Sequence, residues 1–165
     1  MPAIVLPLGA GGGGRIPACR LPRPRLMFER FKFAKKLWNA NKAASRVTVL
    51  IRPALFTVVS PGGGFDPRLK SDTFVVGYIY GVITACVADD NQQQNGLLIQ
   101  QVFEQLFPNH GKSLTEYCTS QALRKNPDFM QATRVGFGEM VELANSEGHE
   151  PLSSLLLHVC KHYQS

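Results

Sequence analysis

The chain has 165 residues, 44% of them hydrophobic and without internal repeat, which bounds it to one ordinary globular domain with extensions. Its charge is split: residues 1–70 carry 13 Lys and Arg against Glu29 and Asp66, a net of +11, and residues 71–165 carry 5 against 10 acids, a net of −5, together the +6 of the whole. Four cysteines without a C-x-x-C pair remove the main signal of zinc ribbons and thioredoxin-like sites, and no apolar stretch reaches the roughly 20 residues that cross a bilayer.

Such an asymmetry between halves suggests a basic arm attached to a separately folded body. Residues 1–26 read as a disordered Gly/Pro/Arg-rich leader: Gly11 to Gly14 is a flexible run, and three prolines follow within RIPACRLPRPRL. The start has no early Lys or Arg and a short apolar run broken by Pro7, so it lacks a secretory pattern. The scarcity of acids keeps an organelle-targeting segment in view. Composition changes sharply at Met27, and the sequence alone does not settle whether the chain proper starts there.

From Met27 to Lys42 the sequence reads as a basic amphipathic helix. Met27, Phe28, Phe31, Ala34, Leu37 and Trp38 fall near one face, Arg30, Lys32, Lys35 and Lys36 largely on the other, and Phe33 fits neither. The residues expected to meet a partner or a membrane are Phe28, Phe31, Lys32, Lys35, Lys36 and Trp38. The plainest alternative is that this apolar face packs on the protein's own bundle. Residues 46–60 are rich in β-branched side chains, and Pro53 divides them. They are expected as two short strands or an apolar extended segment, ended by a hinge at Pro61 to Gly64.

The compact body is expected to begin near Ser71 and to hold five helices. The first, about Thr73 to Ala88, is capped by Ser71 or Asp72. It is apolar on nearly all sides and so buried on nearly all sides, with Gly77 and Gly81 placed for close approach of another backbone. Asp89 and Asp90 serve the next N-terminus. A second helix covers Gln92 to Phe107, with Leu98, Ile99, Val102, Phe103 and Leu106 as its stripe. Ser113 and Glu116 form a capping box for a third, running to about Lys125. Asn126 and Pro127 start a fourth, with Phe129, Thr133, Gly136, Met140 and Leu143 on its face. Pro151 opens the last, whose Leu152, Leu155, Leu156, Val159 and Tyr163 follow helical spacing.

Chemistry-bearing patterns are sparse. His158 and His162, at i and i+4, are weak metal candidates, because Cys160 points elsewhere and a third ligand must come from outside the helix. Glu139 and Glu142 lack the Glu-x-x-His partner of di-iron bundles. Gly111-Lys112-Ser113 ends like a phosphate loop but lacks the earlier glycine and the preceding strand. The cysteines read as reduced, structural thiols.

These observations give an all-α fold: a small bundle of about five helices over roughly 71–165, preceded by a basic amphipathic helix and a flexible or extended N-terminal arm. The expected function is a non-catalytic protein-binding or adaptor module in the cytoplasm, without cofactor, with homo-oligomerisation left open. The alternatives are a peripheral membrane protein anchored by helix 27–42 and an enzyme or enzyme subunit whose site the sequence does not display. Nucleic acid is disfavoured, since neither an aromatic RNA-binding signature nor zinc-finger spacing is present.

Overall fold

An apolar helix, α2 (Thr73–Cys86), lies at the centre and touches every other helix. The computed structural model describes residues 24–56, 64–87, 92–145 and 152–163, with side chains for all of these except 24–39 and 92–94. The described residues are helical apart from short connections: α1 (Pro24–Leu55), a 3-10 turn (Leu69–Ser71), α2, α3 (Gln92–Leu106), α4 (Gly111–Leu123), α5 (Pro127–Asn145) and α6 (Ser153–Tyr163). None of these helices is long and apolar enough to cross a membrane. The expected leader lies outside the described residues up to residue 23. So do most of the hinge at 61–64, Asp89 and Asp90, and Pro151.

The all-round apolar sequence of α2 explains its place. Val75 to Ile79 and Gly81 to Ile83 are all buried. Its N-terminus is held by Asp72, whose Oδ1 accepts from the backbone N–H groups of Phe74 (2.8 Å) and Val75 (3.1 Å). Its most intimate neighbour is α5. A Cβ on Gly77 would stand 3.0 Å from the Phe129 carbonyl oxygen and the Ala132 Cβ. One on Gly81 would fall on the Thr133 carbonyl oxygen, and one on Gly136 of α5 on the Tyr78 carbonyl oxygen. The two backbones therefore meet through glycines on both sides.

The segment expected to be extended, 46–60, is helical through Leu55, and its residues 57–60 lie outside the described residues. α1 continues without interruption through Val47, Ile51 and Pro53 to Leu55. Ala44, Val47, Ile51, Ala54 and Leu55 recur at helical spacing and are buried in the same core as α2. That burial overrides the β-branched preference, which is a weak local term. Pro53 is exposed in the last turn, where it removes one i→i−4 backbone bond, and the helix ends two residues later at Leu55. The second half of α1 thus shares one core with the helices that follow Ser71.

Counting back from Ala44 through Ala40 in alternating steps of four and three, the core register passes through Leu37 and Phe33. Phe33, the residue that fitted neither face, falls on this stripe. Phe28, Phe31 and Trp38 fall on the opposite register, shared with the exposed Lys42, Arg46 and Val49.

α1 packs chiefly on α3 and also on α6, and α3 packs on α4. The expected stripe of α3 is buried: Leu98, Ile99, Val102, Phe103 and Leu106. At the α1–α3 edge, the Gln105 amide donates to Asn41 Oδ1 (2.8 Å), and Arg52 donates to the Gln105 carbonyl (3.2 Å). Thr48 is 2% exposed, and its hydroxyl has no hydrogen-bond partner among the described residues.

The start of α4 differs from the expected capping box. The N-cap is His110, three residues before Ser113, and Ser113 Oγ donates to the His110 carbonyl rather than accepting at a cap. Glu104 of α3 does the capping instead. Its carboxylate accepts the N–H groups of Asn109 (2.7 Å) and Gly111 (2.9 Å). α5 begins as expected, with Asn126 Oδ1 accepting from Asp128 and Phe129.

Candidate functional site

Two places gather chemistry: a polar corner where α6 meets the start of α2, and the outer face of α1. The corner grows from Asp72. With Oδ1 committed to the cap of α2, Oδ2 accepts from the Tyr163 hydroxyl (2.7 Å) and from His158 Nε2 (2.9 Å). An ionised carboxylate only accepts, so the His158 ring donates from Nε2. Burial pushes the Asp72 carboxyl up, but the hydrogen bonds from His158, Tyr163 and the Val75 N–H outweigh it and leave it below the usual carboxylate range. The Tyr163 hydroxyl is pushed up, first by burial and then by its bond to Asp72.

Rings close the corner. Phe74 stacks on His158 with centroids 4.3 Å apart, and His162 lies beside it at 4.6 Å. The Arg68 guanidinium sits 5.2 Å from the Tyr163 ring centre while pairing with Asp66. His158 and His162 do approach each other, as their spacing suggested. However, the Nε2 of His158 is engaged by Asp72. Among the described residues no three His, Cys, Asp or Glu side chains are grouped to hold a metal ion.

A second carboxylate, Glu139 of α5, also ties a helix end. It accepts from the Tyr78 hydroxyl (2.5 Å), from the Ser154 backbone N–H (3.1 Å) and from the Ser154 hydroxyl at the start of α6. Burial, then the Glu139 bond, pushes the Tyr78 hydroxyl up. Three carboxylates with several hydrogen bonds, Asp72, Glu104 and Glu139, thus each fasten one element to another. Sequence spacing shows only the local part of this: Asp72 reads as a cap, but its partners lie 86 and 91 residues away.

Two thiols of the described residues are held protonated by burial. Cys118 is buried, and burial raises it to about 12; Cys86 is half-buried and also raised by burial. A thiol held protonated is a poor nucleophile.

The outer face of α1 has the opposite character. Val49 is 68% exposed, Leu50 40% and Phe56 56%. Lys42, Arg46, Arg52 and Pro53 are exposed among them. Phe28, Phe31, Lys32, Lys35, Lys36 and Trp38 lie on the helical backbone of the first half of α1, and their side chains are outside the described residues. Sequence reasoning stopped the helix at Lys42 and so missed Val49, Leu50 and Phe56 as surface residues. The helical spacing of Ala44, Val47, Ile51 and Leu55 was the signal that could have found them. Elsewhere, Leu123 at the end of α4 is exposed beside a shallow groove lined by Thr115, Thr119 and Arg124.

No family model, curated protein or solved structure matches this chain.

Proposed function

We propose that this chain is a non-catalytic binding module whose recognition element is the outer face of α1. The observation that carries the reading is the row of exposed apolar side chains, Val49, Leu50 and Phe56, set among Lys42, Arg46 and Arg52 on a helix whose opposite stripe is buried in the core. Apolar side chains clustered on a surface and mixed with polar ones mark an interaction site. The multiply bonded carboxylates support the same reading from the other side, since each binds a helix end or joins two helices.

The test uses the complete chain and the double variant Arg46→Glu/Val49→Glu, with matched melting curves as the control for folding. Each is immobilised and exposed separately to the protein fraction and the lipid fraction of a cell extract. At least one fraction is expected to be retained by the parent and lost by the variant. Equal retention by both chains in both fractions would remove the α1 face as the recognition element.

A further inference from the structure

α5 has two long faces with different company. One packs on α2 through Phe129, Ala132 and Gly136, all buried. The other centres on Gly138, where nothing lies within 4 Å of an added Cβ. At 3.6 residues per turn, steps of three, four and seven residues from Gly138 return to this outer face. Val135 and Val141 stand three residues before and after Gly138, Arg134 and Glu142 four, and Gln131 and Asn145 seven. Val135 is half-buried and the other five are exposed, Val141 at 41%. Arg134 and Glu142 are about 12 Å apart along the axis, and among the described residues neither has an ion-pair partner.

We propose that this face docks a second copy of the chain, with the two α5 helices antiparallel across a two-fold axis at Gly138. An antiparallel copy presents the same residues in reverse order, so each position meets the one equally far beyond Gly138. Arg134 then faces Glu142 of the second copy, and Glu142 faces its Arg134. Val135 meets Val141, and Gln131 meets Asn145. The face is its own complement in all three pairs: opposite charges, two apolar side chains, and two amides that each donate and accept. An unrelated partner places no such demand on a surface, whereas a two-fold contact requires residue i to suit j and j to suit i. A parallel pair would set Arg134 against Arg134 and Glu142 against Glu142, which repel.

Gly138 fits the same arrangement. Glycine weakens a helix interior, and Gly77, Gly81 and Gly136 each have atoms of a neighbouring helix against them, while Gly138 has none within its own chain. On the axis, two glycines facing each other let the helices approach closely. One helix from each copy covers less than the roughly 1,200–2,000 Å² of a standard interface, so the pair is weak and forms at about micromolar concentrations or above. α1 packs chiefly on α3 and α5 chiefly on α2, so this contact is separate from the outer face of α1. A pair carries two copies of that face, which strengthens binding to any target that engages both.

Sedimentation equilibrium of the complete chain, from about 1 to 500 μM, should show the mass rise from one chain to two. Arg134→Glu removes both ion pairs and creates two like-charge contacts, and should raise the dissociation constant at least about tenfold; Glu142→Arg should do the same. Both residues are exposed, so circular dichroism should show these variants folded like the parent. The swap Arg134→Glu/Glu142→Arg restores both pairs in reversed polarity at the parent's net charge, and should associate within about threefold of the parent. Gly138→Lys places bulk and two like charges on the axis, and should hold the chain at the mass of one copy with its helix content kept. The proposal is overturned if the parent stays at one-chain mass throughout, or if either single reversal associates like the parent. It is equally overturned if the swap associates no better than the single reversals, or if folded Gly138→Lys pairs like the parent. Should Gly138→Lys disturb folding, the charge variants carry the test.

Discussion

Gly81 and Gly136 face backbone atoms of the neighbouring helix, so even one added methyl group has nowhere to go. Gly81→Ala or Gly136→Ala should lower the unfolding free energy by about 1–3 kcal/mol or more, because the obstacle is a carbonyl of a packed helix rather than a movable side chain. Gly138→Ala is the contrast. Nothing lies within 4 Å of a Cβ there, and removing glycine from a helix interior should stabilise by up to about 1 kcal/mol. Urea denaturation of the three variants checks both signs; a parent-like Gly81→Ala would mean that α2 and α5 do not cross through these residues. The spacing of Gly77 and Gly81 made half of this crossing legible. Spacing placed Gly136 on the inward face of its helix, but spacing does not say which helix lies against it.

At the scale of elements, local start signals were readable where the capping group is close in sequence. Asn126 and Asp72 cap the helices they precede. The S-x-x-E pattern at Ser113 and Glu116 failed because Asn109 adopts a left-handed turn, φ 68°, and helix α4 starts earlier, on the carboxylate of Glu104. Glu104→Ala should therefore reduce the melting temperature clearly more than Ser113→Ala, and the reverse order would restore the capping box. The junction of α2 with α6 gives a pH dependence. Asp72 has its carboxyl lowered in the folded chain, so the unfolded chain takes up the proton first as pH falls. The stabilisation is full above the ordinary carboxylate value of about 4 and is lost as pH drops through the lowered folded value. Asp72→Asn should cost about 1–3 kcal/mol at neutral pH, and its deficit relative to the parent should shrink as pH falls below about 4. A deficit that stays constant over that range would mean that charge on Asp72 does not hold α6.

At the scale of the whole molecule, the division of charge and the division of structure do not coincide. The basic half ends near Lys70, which suggested an arm outside a folded body, but the core ignores that line. Ala44, Val47, Ile51, Ala54, Leu55 and Leu69 from the basic half are buried together with Val75, Ile79, Val102 and Leu155 from the acidic half. Charge is a property of exposed positions, and α1 is basic outside while apolar within, so composition recorded only its outer face. The β-branched run at 47–51 and Pro53 then masked the helical spacing of the inner one. It follows that residues 71–165 should not fold alone. Removing α1 deletes Val47, Ile51 and Leu55, each contributing about 1.5–3 kcal/mol by burial, and uncovers their neighbours on α3 and α6. That loss is comparable with the roughly 5–15 kcal/mol that holds a whole domain. The fragment should show no cooperative thermal transition, with weak near-ultraviolet circular dichroism and reduced helix content, while the complete chain melts in one step. A fragment that melts cooperatively within a few degrees of the parent would mean that α1 is an appended arm after all, and that its inner stripe adds nothing the other helices need.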